Sequence, residues 1–190
     1  VVETDLTGVE LALPVPFGKQ KESAVATRWH MTLSGPERHY WLDYGKQLSL
    51  FLAKRDAQQF RGELVLGGER AQLPTQHGIF VRGALDELPV NQWLELAKHY
   101  THAEGVATKH ANSLQAAQLQ IKRITELPLH VYDATVGYQA QADSRWSASL
   151  KSPQLSGSIE DGQPNEPMHV SIGYLHVPSF PEKKASELQS

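Results

Sequence analysis

Apolar residues recur at every second position through most of this chain, the period of strands buried on one face. Trp29, Met31 and Leu33 alternate with His30 and Thr32. Tyr40, Leu42 and Tyr44 follow, interrupted on the other parity by Trp41. Leu48, Leu50 and Leu52 alternate with Ser49 and Phe51; Phe60, Gly62, Leu64 and Leu66 continue the pattern; Ile79 and Val81 lead through Gly83 to Leu85. Further strands are expected over 114–124, 127–142, 145–150, 155–159 and 168–177. Turn residues separate many of these runs, among them Ser34-Gly35-Pro36, Gly67-Gly68, Lys151-Ser152-Pro153 and Asp161-Gly162-Gln163-Pro164. Connections this short predict hairpins, and hairpins predict an antiparallel sheet. The opening stretch "DLTGVELALPVPFGK", residues 5–19, reads as one more strand through Val9, Leu11 and Leu13. Pro14 and Pro16 end it because neither can donate to a ladder, which leaves Phe17, Gly18 and Lys19 as rim and turn residues.

One segment departs from this period. "LPVNQWLELAKHYTHAEG", residues 88–105, sets Trp93, Leu96, Ala97 and Tyr100 at helical spacing, with Asn91 as the expected N-cap and Gly105 as the stop. The helix divides two strand groups, 1–87 and 106–180, in a single unit 1–180; the polar end 181–190 is expected to be disordered. Each strand group lacks apolar residues on one parity, so the sheet should have one apolar and one wet face. A single helix of about three turns, roughly 17 Å long, covers part of such a face and no more.

Composition narrows the chemistry. The formal charge is −3 with acidic and basic residues interspersed, so no basic stripe points to nucleic acid. There are no cysteines, which excludes disulfides, thiolate metal sites and cysteine nucleophiles. No apolar run approaches the roughly 20 residues of a membrane-spanning helix, and no signal-peptide pattern is visible. The chain opens on Val1 and reads as an excised piece or a mature product of a longer chain.

Candidate catalytic constellations are weak. Glu95, His99 and His102 fall on one helical face with His110 shortly after, a spacing zinc can use, but the His-Glu-x-x-His run is missing. The helix dipole accounts for two histidines in a last turn without a metal, so no metal site is assigned. His30, His39, His130 and His169 fall at outward positions and are expected to be solvated. Glu160 and Asp161 are adjacent and would point to opposite faces of a strand, which serves no paired-carboxylate chemistry. "LGGER" at 66–70 lacks the Lys-Ser/Thr of a phosphate loop, and no strand-turn-helix nucleophile elbow is present. No catalytic residue and no cofactor is expected. Trp29, Trp41, Trp93 and Trp146 suit either core positions or sugar stacking; Trp41, on the unexpected parity, is the one to follow.

Three stretches together resemble the YhdP family of AsmA-like envelope proteins. "LTGVELALPVPFGK" is similar to a family strand that ends in Leu-Pro-x-Pro-Leu/Phe-Gly-Lys. "RGELVLGGERAQLPTQHGIFVRGALDELPVNQWLEL", residues 61–96, carries the Arg-Gly strand, the Leu-Pro, the Gly-Ile strand and a helix opening near Trp. "LHVYDATVGYQAQADSRWSASLKSPQLSGSIE", residues 129–160, carries a long strand, a strand centred on Trp and one containing Ser-Gly-x-Ile. Their order and spacing span most of residues 5–177. The resemblance implies a mainly β fold, with long antiparallel strands in a curved, trough-like sheet and one amphipathic helix. It further implies an internal segment of a long chain that is anchored in the inner membrane, crosses the periplasm of Gram-negative bacteria and moves phospholipid between the two membranes. The partners implied are phospholipid acyl chains and neighbouring segments of the same chain.

On that reading the apolar parity supplies the lipid-groove candidates: Val9, Leu11, Leu13, Trp29, Met31, Leu33, Leu48, Leu50, Leu52, Leu64, Leu66, Leu119, Ile121, Val136, Tyr138, Trp146 and Leu150. The alternative is a closed β-sandwich that binds an envelope partner or a glycan, in which the same residues form an ordinary core.

Overall fold

Residues directly opposite each other on neighbouring strands point to the same side of a sheet. Strands with one apolar parity can therefore share a continuous apolar face if every register preserves that parity. The computed structural model describes residues 1–55, 60–101, 113–141, 145–161 and 167–176. It contains β1 (Val2–Thr4), β2 (Thr27–Met31), β3 (Arg38–Tyr44), β4 (Leu48–Lys54), β5 (Phe60–Leu66), β6 (Gly78–Pro89), α1 (Val90–Thr101), β7 (Leu114–Thr125), β8 (Val131–Ala140), β9 (Trp146–Lys151), β10 (Leu155–Glu160) and β11 (His169–Leu175). All 11 strands lie in one open, curved sheet in chain order. The described residues supply no second sheet to pack on it, which overturns the closed-sandwich alternative.

Most neighbours pair antiparallel, but β5 with β6 and β6 with β7 pair parallel. Gly67-Gly68 is thus not a hairpin turn. It opens a crossover, 67–77, that runs back over the outer, wet face of the sheet. There the Ala71 N–H donates to Ser49 Oγ (3.1 Å), the Gln72 N–H to Glu63 Oε2 (2.7 Å) and Arg61 Nη1 to the Pro74 carbonyl (3.3 Å). This cover buries Val65 and Ala53 completely although both sit on the outer parity. Arg82 ties the same layer together, pairing with Glu63 at 2.8 Å and also with Glu69.

The core sits where the helix joins the sheet. Leu85 and Leu88 on β6, Ile121 and Ile124 on β7, and Val131 and Ala134 on β8 all pack into one cluster, each pair three residues apart. Two consecutive residues on each strand therefore face outward, and they carry the charge: Asp86 pairs with Lys122 at 2.6 Å and Glu87 with Arg123 at 2.8 Å. Asp133, opposite them, takes φ +50°. This local break in alternation is why period two fades in the sequence here.

α1 starts directly after β6, so Asn91 lies inside the first turn and is not the N-cap. The carboxylate of Glu126 takes that role, accepting from the Gln92 N–H at 3.1 Å, while Asn91 Nδ2 donates to the Glu126 carbonyl at 3.0 Å. A negative group at a helix N-terminus complements the dipole. Trp93 and Leu96 are half-buried and Ala97 is exposed, so the apolar stripe is narrower than expected; the Tyr100 side chain and Gly105 lie outside the described residues.

The outer face of β2–β4 carries an aromatic ladder. His30, Trp41 and Phe51 are direct cross-strand partners. Trp41 stacks on His30 (4.6 Å between centroids) and against Phe51 (4.6 Å), and His39 meets Trp41 and Phe51 edge-on at 5.6 and 5.7 Å. His30 and His39 are thus half-buried ring partners and not solvated side chains, whereas His130 and His169 are exposed as expected. Beside the ladder, Glu37 accepts from His39 Nε2 and Arg61 Nη2, each at 3.0 Å, and these bonds hold its carboxyl below the usual range.

Two outcomes follow. Trp41→Ala removes several ring contacts and lowers stability by about 1–3 kcal/mol, read by denaturant unfolding. Because Glu37 is more acidic folded than unfolded, its stabilisation is present above the ordinary glutamate range and is lost as pH falls through the folded value. Paired melts of the protein and Glu37→Gln between about pH 6 and about pH 3 should show a gap that closes on acidification.

Candidate functional site

The inner face is built from rows of directly opposed residues. One row crosses every strand: Val2, Trp29, Leu42, Leu50, Leu64, Val81, Ala117, Tyr138, Ala148, Ile159 and Val170. Every member is apolar or aromatic. At roughly 4.8 Å between strands, the row is about 48 Å long. A second row runs beside it through Tyr44, Leu48, Leu66, Gly83, Leu119, Val136, Leu150, Gly157 and Ile172. On the other flank lie Met31, Tyr40, Leu52, Gly62, Ile79 and Leu114. Far from β5–β8 the face is open: Val170 is 63% and Ile172 65% exposed.

Residues 5–26, between β1 and β2, do not join the sheet as a strand. They form a strap, an extension of the β1–β2 hairpin that leaves the sheet plane. Leu6 (φ +54°) and Gly8 (φ +86°) bend the chain away from the ladder, despite the alternation that follows. The arms pair through Gly8 N–H to the Lys21 carbonyl and a two-way bridge between Leu11 and Lys19. The tip turns at Pro14–Phe17, where the Phe17 N–H donates to the Pro14 carbonyl at 3.0 Å. A Cβ on Gly18 would lie 2.3 Å from the Leu13 carbonyl oxygen, so glycine is required there. Lys19 is 5% exposed, and its ammonium donates to the carbonyls of Val9 (2.7 Å) and Gln20 (2.8 Å), clamping the two arms. Lys19 is therefore a buried clamp, not a rim residue.

The strap tip lies over the second row. Phe17 is buried, meets Trp93 of α1 edge-on at 5.7 Å, and its carbonyl accepts the Tyr44 hydroxyl at 3.1 Å. Burial raises the Tyr44 pKa. Strap, helix and sheet line an open-sided chamber of about 590 Å³, formed by Leu6, Leu11, Leu13 and Phe17 from the strap, Trp93 and Leu88 from the helix side, and Thr27, Leu42, Tyr44, Leu48, Leu64, Leu66, Leu85 and Leu119 from the sheet. Its surface is apolar: the Thr27 hydroxyl is turned to the Val25 carbonyl and that of Tyr44 to Phe17. A broader depression of about 830 Å³ lies on the outer face and is floored by Gln118, Gly137, Ser149 and Ser158, the mixed surface of an ordinary wet sheet.

The sequence candidates divide by place. Trp29, Leu50, Leu64 and Tyr138 lie in the central row; Leu48, Leu66, Leu119, Val136 and Leu150 in the second; Met31 and Leu52 on the other flank, with Trp146 stacked on Tyr138 at 6.0 Å. Ile121 is buried in the core. Leu11 and Leu13 face the sheet from the strap, while Val9 is 43% exposed on it and Leu33 lies past β2 at 83% exposure. Leu42, Ile79, Val81, Ile159 and Val170 were absent from the candidates though they continue the rows; counting alternation alone finds Leu42 once Trp41 is assigned outward. Phe17 carried no periodic signal, and the helical spacing of Trp93 did not tie it to the sheet face. Glu95 pairs with Lys98 at 2.7 Å and His99 is exposed; His102 and His110 lie outside the described residues. No group of three metal-ligating side chains occurs among the described residues.

Lys19→Met leaves two carbonyls without their donor, at a cost of about 1–3 kcal/mol. Amide exchange at Leu11 and Lys19 should accelerate while β3–β5 stay protected; unchanged strap exchange would remove the clamp role.

No helix among the described residues is long and apolar enough to cross a membrane. No curated protein and no solved structure matches the chain. The YhdP protein family model matches residues 1–190, and the chain belongs to that family.

Proposed function

We propose that the inner face shields phospholipid acyl chains in transit between the inner and outer membranes, within a longer AsmA-like, periplasm-spanning protein anchored in the inner membrane. One observation carries this reading: an apolar row that crosses all 11 strands with no second sheet over it among the described residues. An apolar face this extensive is a binding surface. Water exposure costs an acyl chain about 0.8 kcal/mol per methylene, so a path across the envelope must be apolar along its whole length. The face offers that along about 48 Å. The head group needs no pocket, since it stays in water at the open flank. Neighbouring segments of the same chain are the other partners; the interspersed acidic and basic residues do not favour nucleic acid. The reading assigns no catalytic step.

Leu50→Asp combined with Leu64→Asp places two carboxylates in the central row. Mass spectrometry of the purified chain should find phospholipid on the native protein and at least ten-fold less on the double variant, with strand content by circular dichroism unchanged. Equal lipid on both would sink the assignment of this face, as would full support of envelope lipid homeostasis by a parent protein carrying both changes.

A further inference from the structure

We propose that the chamber beneath the strap is a binding site for one acyl tail of a diacyl lipid, the second tail lying on the open rows. The inference rests on the acyl-shielding reading and adds a place, a stoichiometry and a division of labour between two parts of the face.

The volume is of the order of one tail. If each carbon unit fills about a water molecule's share of liquid volume, roughly 30 Å³, a sixteen-carbon tail needs about 480 Å³ and a pair about 960 Å³. The chamber holds about 590 Å³, enough for one. Chemistry decides the occupant. An apolar groove takes apolar guests; the hydroxyls nearest this one are already turned away, and the Trp93 indole N–H is buried without a partner. Continuity decides the second tail. Leu42 and Leu64 line the chamber and also belong to the central row, in which Leu50 stands between them and Trp29 and Val81 continue on either side. A tail in the chamber therefore shares a wall with the open face, and two tails joined at one head group can lie on either side of it. The chamber owes its size to the strap: Phe17, held by the Tyr44 hydroxyl and seated on Trp93, closes the helix end, and Leu13, 37% exposed, stands at the outer lip.

The test titrates the chain with two probes, a lysophospholipid with one sixteen-carbon tail, below its micelle concentration, and a phospholipid with two. Leu13→Trp fills the chamber from the strap; Leu52→Trp crowds only the open flank. One molecule of either probe should bind per chain. Leu13→Trp should weaken both at least ten-fold, whereas Leu52→Trp should weaken only the two-tailed lipid. Phe17→Ala lengthens the chamber and should shift preference toward a twenty-carbon lysophospholipid, which keeps the idea testable if the tryptophan variant melts early. Single-tail binding that ignores both Leu13→Trp and Phe17→Ala, or two single-tail molecules lost together in Leu13→Trp, overturns the chamber while leaving acyl shielding in place. If neither probe binds the native chain, both readings fall.

Discussion

Parity is the constraint on which this molecule depends. A one-residue slip between any two strands turns every side chain beyond it to the opposite face. Eleven strands in chain order give ten registers, and an apolar row survives all of them. Where a register does break, it breaks so as to restore the pattern. The shift after Ile79 leaves Leu114 opposite an inward residue and still pairs Val81 with Ala117. The shift at Ser156/Gly157 sits beyond the central row, leaving Ile159 opposite Val170. The parallel pairs at β5–β6–β7 keep the same parity while placing one connection on the outer face.

A sheet that keeps its apolar face open must draw stability from elsewhere. In most domains that face is the core. Here a compact core forms only where α1 and the strap tip meet β5–β8, around Phe17, Leu85, Ile121 and Val131. Among the described residues no helix lies over the first strands, and there the outer face takes over: Trp41, His30, His39 and Phe51 pack ring on ring, and the crossover seals Val65 and Ala53. Toward β11 neither device is present among the described residues, and Val170 and Ile172 are exposed. Across β2–β5, stability is thus moved off the inner face and onto the outer one.

How much of this was legible follows the same logic. Alternation is readable where a strand has one wet and one dry face, so Leu48, Leu50, Leu52 and Leu64 declared themselves. It misleads where the dry side is not the sheet: Leu11 and Leu13 alternate because one side of the strap faces the chamber, and only the φ values of Leu6 and Gly8 take them out of the ladder. Parallel pairing was not readable, because Gly67-Gly68 looks the same at the start of a hairpin and of a crossover. The triplet spacing at Leu85/Leu88, Ile121/Ile124 and Val131/Ala134 hid the core, since no local period describes it. The cap on α1 comes from Glu126, in the turn between β7 and β8, a contact no window along the sequence contains.

The strap also bears on how such a face would conduct and not merely hold. On the acyl-shielding reading, a tail sliding from strand to strand exchanges one apolar neighbour for another, so translation along a uniform row changes the free energy little. A polar group would pin the head group, and a full roof would trap both tails; the central row has neither. A chamber for one tail introduces a single preferred station on an otherwise level path. Its depth depends on how completely Phe17, Leu11 and Leu13 cover the second row, not on any polar contact. Because the clamp that holds them consists of a lysine on two carbonyls and a tyrosine on a third, that depth is set by bonds facing away from the lipid. The polar bonds that fix the site's shape then lie apart from the apolar surface that touches its guest, with Tyr44 contributing its hydroxyl to the first and its ring to the second.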